Sequence, residues 1–413
     1  MKEINPSRLF QASCIALTVT SMTFAIRAGM LTPLGEEFGL SNTQLGWIAG
    51  MAFFGFPVAT TLGGFFVDQL GMRRLMMVAF SAHLLGLLLT IFAGGFWSLF
   101  ISTFLIGFAN GMVEAVCNPM VASMYPNNKT AMLNKFHVWF PGGIVIGALV
   151  ATAIQSQFAD AAGNVAPERI ALMRQLQVAV MLLPTLLYGW LFWGQRFPRT
   201  ERVEAGVSSG EMFAAVLSPL FLFMAVCMFF TANTELSTTQ WIDKLLGSTG
   251  ANPLLILALV NGIMALGRYF GEPIIHKLNP SGVLLLSAVL AVLGLYLLRS
   301  VEGQALYAAA IIFALGVCYF WPTMLGFVSE NIPKSGALGL SLMGGAGMFG
   351  NWAFQTFFIG PKLDAEKMRL AAAGASPEKV EILAGQSVLG SLNLLPVVLV
   401  LAFAGLWFYM RKK

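Results

Sequence analysis

Gly64-Phe65-Phe66-Val67-Asp68-Gln69-Leu70-Gly71-Met72-Arg73-Arg74 joins one long apolar run to the next, and its few polar residues decide how the chain is laid out. Gly64 takes the side chain off a helix face, so that a neighbouring helix can approach closely. Gly71 supplies a tight turn. Arg73 and Arg74 open the following run, and clustered arginine at such a turn marks the cytoplasmic side of a bilayer. Asp68 stands where it can pair with an arginine, a contact able to hold one arrangement of helices and break in another.

Outward from this turn the same pattern repeats. The 413 residues are 57% hydrophobic and 10% charged, whereas a soluble domain carries about a quarter charged residues. Apolar runs of bilayer-spanning length recur from end to end. They predict twelve spans at 10–34, 44–68, 74–96, 98–124, 134–157, 172–195, 213–242, 251–277, 282–300, 303–329, 336–360 and 387–410. The expected fold is an all-α integral membrane protein of two six-helix bundles, residues 1–195 and 213–413, joined by a polar linker at 196–212.

Basic residues collect at alternate turns: Arg8; Arg73 and Arg74; Lys129 and Lys135; Arg196, Arg199 and Arg202; Lys277; Lys334; Arg411, Lys412 and Lys413. This places both termini in the cytoplasm and makes the span number even. The basic start has no small-residue cleavage site, so no removable signal peptide is expected. The inserts Gln157 to Glu168 and Lys362 to Gly385 then fall outside, as solvated loops in which short surface helices could form. Pro119 and Pro322 lie 203 positions apart, and Gly64 and Gly271 lie 207 apart, which points to a duplicated half.

Several function classes drop out. Cys14, Cys117, Cys227 and Cys318 lie in apolar segments without metal spacing and read as packing residues. The histidines His83, His137 and His276 are scattered, with no HExxH, no Ser-His-Asp setting and no P-loop. Neither an enzyme, a metal centre, a cofactor nor a nucleic-acid partner is expected. The expected partners are a small molecule, protons and the lipid bilayer, with the chain as a monomer in a bacterial inner membrane.

The turn quoted first resembles the signature of the major facilitator superfamily, Gly-x-x-x-Asp-x-x-Gly-x-Arg-Arg, between its second and third spans. The resemblance implies that Asp68, Arg73 and Arg74 gate the protein and do not bind substrate. A weaker copy, Gly267-Arg268-Tyr269-Phe270-Gly271, lacks the aspartate. Arg268 is either a gate or a cavity residue, and its place in the inner half of span eight favours the gate. His276, further on, reads as a solvated end residue.

A second stretch, Gly107-Phe108-Ala109-Asn110-Gly111-Met112-Val113-Glu114-Ala115-Val116-Cys117-Asn118-Pro119, sets one carboxylate in an otherwise apolar span. An ionised group at membrane depth costs about 2.5–3.5 kcal/mol, so it is kept where it meets a cavity or a partner. Glu114 is thus a candidate proton-coupling residue, with a structural ion pair as the alternative. Gly107 and Gly111, four apart, read as packing positions.

From Glu114-Ala115-Val116-Cys117-Asn118-Pro119 through Tyr125-Pro126, Leu133-Asn134-Lys135-Phe136-His137, Asn279-Pro280 and Tyr319-Phe320-Trp321-Pro322-Thr323, the chain is similar to the fucose/glucose/galactose-proton symporter family. That likeness implies a cavity role in coupling for Glu114. Where the family has an Asn-Asp pair in span one, this chain has Ile26-Arg27-Ala28-Gly29. Where the family has glutamine and asparagine in span five, it has His137 and Phe140.

Arg27 can pair with Glu114, or its guanidinium can fork onto the carboxylate or phosphate of an anionic substrate. In span seven, Asn233, Ser237, Gln240 and Trp241 recur at helical spacing, and such a face suits a polyol that hydrogen-bonds and stacks. Polar glue between helices is the other reading. Span eleven offers Asn351 and Gln355, and Trp139 and Trp321 are candidates for the cavity or the gates. Glu114, His137 and Glu235 are the expected proton carriers. Arg27, Asn118, His137, Asn233, Glu235, Gln240, Trp241, Trp321, Asn351 and Gln355 are the expected substrate contacts. The whole reads as a proton-coupled symporter of a sugar or sugar-like molecule. The alternatives are a carrier of acidic sugars or organic anions clamped by Arg27, and a transporter-like sensor.

Overall fold

A computed structural model of the chain describes residues 4–40, 42–160, 165–246, 251 and 253–411. The described residues are helical almost throughout, with no strand beyond a single bridge between Ala159 and Val165 in the first polar insert. Twelve membrane helices follow one another: α1 Pro6–Phe38, α2 Asn42–Leu70, α3 Met72–Ile91 and α4 Phe96–Met124, then α5 Lys129–Ser156, α6 Pro167–Phe192 and α7 Pro219–Gln240. After these come α8 Pro253–Tyr269, α9 Glu272–Ser300, α10 Ala305–Asn331, α11 Gly336–Phe354 and α12 Pro377–Arg411. Ten apolar helices among the described residues are long enough to cross a bilayer by themselves. The apolar part of α8, Leu255–Tyr269, is shorter, and α11 reaches its length by running on through a π-helical turn, Gln355–Ile359, into Gly360–Ala372.

Local chemistry sets the breaks. At the α2–α3 turn Gly71 takes φ +82, which an L side chain rarely adopts, and the turn closes with the Gly71 N–H on the Val67 carbonyl at 2.8 Å. Asn279 precedes Pro280, and a residue before proline is pushed out of the α region. It sits at φ 55 and restarts α9 by accepting from the Gly282 N–H at 3.1 Å. The expected boundary at 277 to 282 therefore moves: α8 ends at Tyr269 and a new helix starts at Glu272. The second polar insert also departs from expectation, because its Ala-rich stretches prolong α11 and α12 and leave only a short turn between Ala372 and Pro377.

The glycines singled out in the sequence do pack helices. A Cβ on Gly107 would meet the Ala52 backbone and one on Gly111 the Phe56 backbone, so α2 and α4 touch along their main chains. Gly64 does the same between the halves, where a Cβ would lie 2.5 Å from the Ser341 Cβ and 3.2 Å from the Leu338 Cα of α11. The four cysteines are buried and free.

Two buried polar clusters tie helices of the first half together. His83 Nε2 lies 2.7 Å from Asn110 Oδ1 and Nδ1 lies 3.0 Å from the Tyr188 hydroxyl, while Asn110 Nδ2 donates to Thr23 Oγ1 at 3.0 Å. Because Asn110 donates through its amide nitrogen, its oxygen accepts from the imidazole Nε2–H, and α1, α3, α4 and α6 are joined with every group satisfied. Nearer the other end Arg174 of α6 clasps Glu37 of α1 with two bonds of 2.8 Å and donates to the Ile91 and Thr90 carbonyls of α3.

Candidate functional site: a charged cavity between the halves and its gate

A narrow pocket lies between the two sets of six helices. Phe56, Glu114, His137 and Phe140 line it from the first half, and Glu235, Leu236, Arg268, Trp321 and Met348 from the second. Its polar wall is one connected path. His137 Nε2 lies 3.0 Å from Asn118 Oδ1, and Asn118 Nδ2 donates to Glu114 Oε2 at 3.3 Å. Across the pocket Arg268 donates to Glu235 Oε1 at 3.1 Å, to the Cys318 carbonyl at 2.6 Å and to the His137 carbonyl at 3.1 Å.

The two carboxyl groups are therefore unlike. Glu235 has its charge matched by a guanidinium that is itself buried and satisfied, the arrangement a buried ion pair requires. Glu114 takes one amide hydrogen bond and has no ion-pair partner among the described residues. The indole Nε1–H of Trp321 is buried in the same wall and faces the Glu114 carboxyl without closing to a full hydrogen bond. A donor and a carboxyl thus share a space with His137 and the Glu235–Arg268 pair, and Phe56, Phe140, Leu236 and Met348 complete it: a few polar groups set among apolar side chains, the make-up of a small-molecule site.

Glu114, His137, Glu235 and Trp321 line the same pocket, with Asn118 bonded to Glu114 and His137 behind them. Arg268 is corrected: it belongs to the cavity wall and not to the gate, because its long side chain reaches from α8 to Glu235 and to the α10 backbone. Asn233 and Asn351 are also corrected. They do not line the pocket, because the Ser237 hydroxyl donates to Asn233 at 3.1 Å and Asn351 donates to Ser237 at 3.0 Å, holding α7 against α11. Gln240 is exposed and Trp241 packs against the core. The physical reason is the π-helical turn Asn233–Ser237, whose i→i+5 bonds break the 3.6-residue period on which a shared face depended.

Arg27 does not pair with Glu114. Its guanidinium lies over the rings of Phe24 at 4.9 Å and Phe53 at 5.7 Å. Phe24 in turn touches Phe140 of the pocket wall, so Arg27 stands one ring away from the cavity. The Gln355 side chain lies outside the described residues. Trp139 is 42% exposed and is not part of the wall. Phe56, Leu236 and Met348 had no signal in the sequence that set them apart from other apolar positions.

Below the pocket, on the face that carries the linker, the halves are closed. Asp68 does not pair with Arg73 or Arg74; it accepts from Arg202 Nε of the linker at 2.6 Å and from the Thr200 hydroxyl. Lys129 reaches Glu201 at 2.9 Å, and Lys135 and Asn128 meet Glu272 at 2.5 and 2.8 Å. Glu330 receives the hydroxyl and the backbone N–H of Thr130, whose side chain packs where a Cβ on Gly326 would stand. Arg73 and Arg74 are exposed and have no ion-pair partner among the described residues.

Twelve membrane helices in two sets of six, with a polar cavity between them and a charged seal on one side, define an integral membrane protein built around an enclosed site. The Major Facilitator Superfamily family model matches residues 13–354, and the chain belongs to that superfamily. Similar curated proteins include the D-xylose transporter of Levilactobacillus brevis, 24% identical over 29% of this chain and 26% of that protein. The probable inositol transporter 3 of Arabidopsis thaliana is 24% identical over 57% and 40%, and the sialic acid transporter NanX of Escherichia coli (strain K12) is 23% identical over 65% and 64%. The chain thus spans about a quarter of the xylose transporter and two-fifths of the inositol transporter. Among solved structures, the proton:xylose symporter XylE bound to 6-bromo-6-deoxy-D-glucose matches with a TM-score of 0.75 at 14% identity over 96% of this chain and 94% of that one. FucP in its outward conformation matches with a TM-score of 0.71 at 16% identity, over 94% and 98%. At these identities the likeness establishes the fold.

Proposed function

We propose that the chain is a secondary transporter that moves a neutral sugar or polyol together with protons by alternating access. The observation that carries the reading is the asymmetry of the two cavity carboxyls: Glu235 is paired with Arg268, and Glu114 faces the pocket with no ion-pair partner among the described residues, beside the indole N–H of Trp321. A carboxyl so placed can take a proton when the cavity is open to one side and give it up on the other. The Asn118–His137 path supplies neighbours that hold the loaded and unloaded states in register. Substrate hydroxyls would bond to the Trp321 N–H and to Glu114, and the ring's C–H face would lie on Trp321, Phe56 or Phe140.

The linker-side contacts support alternation. Asp68–Arg202, Lys129–Glu201 and Lys135–Glu272 close one face, and breaking them would open it. Both termini would be cytoplasmic, and the protein would work as a monomer in a bacterial inner membrane. An acidic substrate is the second reading, favoured by the absence of any ion-pair partner for Arg27 among the described residues and by the sialic acid transporter among similar proteins. Purified protein in proteoliposomes, tested for sugar accumulation with and without an imposed proton gradient, decides between transport and binding alone. Uptake that ignores the gradient contradicts the coupling, and neutral sugar excluded by uronates supports the second reading.

A further inference from the structure

On the linker side of the first half, away from the cavity, four arginines gather around one recess. Arg73 and Arg74 begin α3, while Arg196 and Arg199 follow the end of α6, and all four line the same pocket. All four are exposed, and none has an acidic partner among the described residues. The neighbouring Asp68 does not compensate them, because it is already engaged by Arg202 and Thr200.

This recess runs directly into a second one, since Arg73 and Phe197 line both. The second is apolar and lies along the outer surface between α3 and α6. Met77, Trp190 and Trp193 are 57%, 64% and 78% exposed there, in a segment that faces acyl chains in a bilayer. Its floor is fixed: the Phe80 ring rests on Gly189, where a Cβ would lie 2.5 Å from the ring. Arg8 braces the rim by donating to the Leu191 carbonyl at 2.9 Å and lying 5.3 Å from the Trp190 ring. A cationic cup at headgroup level that opens onto an apolar groove at acyl depth has the shape and polarity of an anionic phospholipid.

We propose that the cup and groove hold one anionic phospholipid, its phosphate among Arg73, Arg74, Arg196 and Arg199 and one acyl chain along Phe80, Trp190 and Trp193. Uncompensated guanidiniums fork readily onto phosphate oxygens. The bound lipid would replace the missing acids and sit against the turn that carries Asp68. It would thus bear on the closed state of the linker face without entering the cavity.

The test uses the full chain in mixed vesicles, reading tryptophan quenching by phosphatidylglycerol or phosphatidylcholine brominated on the acyl chain. The groove signal is the part of the quenching that disappears in Trp190→Phe/Trp193→Phe. The proposal expects brominated phosphatidylglycerol to quench that signal at far lower mole fraction than brominated phosphatidylcholine. In Arg196→Gln and Arg196→Gln/Arg199→Gln the preference should fall by about fivefold for each arginine removed. Inorganic phosphate at millimolar level should not relieve the quenching. Equal quenching by the two lipids, or a preference that survives the double substitution, overturns the proposal. Relief by inorganic phosphate also overturns it, by showing that the cup takes the free anion and not the lipid.

Discussion

Arg268 and Glu235 form an ion pair at 3.1 Å inside the cavity wall, and the same guanidinium reaches the His137 carbonyl in the other half of the molecule. The pair sets the charge balance of the site, since it removes Glu235 from the list of groups free to exchange a proton cheaply. It also joins the halves at the depth of the cavity by a contact that involves backbone, which a change in side-chain charge alone would not release.

The first prediction follows from this pair. Arg268→Ala leaves a carboxylate buried without its partner, a change that costs about 3–5 kcal/mol. The purified protein should melt at a clearly lower temperature, and Arg268→Ala/Glu235→Gln should recover much of the loss because no uncompensated charge remains. A single variant as stable as the parent would contradict the assignment.

The linker latch gives the second. Asp68 is bonded to Arg202, so Asp68→Asn and Arg202→Gln should slow transport alike while ligand affinity stays within a few-fold of the parent. The double variant should be no worse than either single one, with a coupling energy of about 1.5–3 kcal/mol, the range for a hydrogen bond to a charged group. Equal loss of binding and transport in Asp68→Asn would make Asp68 a folding or binding residue.

Close approach at Gly64 supplies the third. A Cβ there would press on Ser341 and Leu338, so Gly64→Val should wedge α2 from α11 and hold the linker face open. Cysteines introduced at Asn128 and Glu272, whose native side chains meet in the closed state, should be bridged by a short bifunctional thiol reagent in the parent background and much less in Gly64→Val. Undiminished crosslinking would show that the halves close without this contact.

Much of the layout was legible because membrane spans announce themselves by length and composition, and the superfamily turn carries its own glycines and charges. Glu114 was legible for a related reason: a lone carboxylate in an apolar span has few explanations. Partners were harder to read. Asp68 lies four helices of sequence away from Arg202, and nothing local distinguishes that arginine from Arg73. The shared face through Asn233, Gln240 and Trp241 rested on a constant 3.6-residue period, which the π-helical turn at Asn233–Ser237 interrupts. Arg268 was drawn to the gate by its backbone position near the end of α8, whereas its long side chain ends on Glu235 in the cavity wall.

Substrate charge supports a fourth prediction. Arg27 rests on Phe24 and Phe53, outside the cavity wall, so Arg27→Lys should leave neutral-sugar affinity within about twofold. If Arg27 instead clamps an anion, the same change should weaken binding by about 1.5–3 kcal/mol, because lysine lacks the planar fork. Titration of the parent and Arg27→Lys with a sugar and its uronate separates the two.

The central claim is that Glu114 carries the coupled proton. Glutamine at this position keeps the shape and the hydrogen bond to Asn118 but cannot release a proton. The decisive measurement is counterflow and proton-driven accumulation, side by side, in proteoliposomes of Glu114→Gln. The account predicts that substrate still exchanges for substrate while accumulation against a gradient is lost. Accumulation at the parent's level would contradict it and move the coupling site to His137 or Glu235.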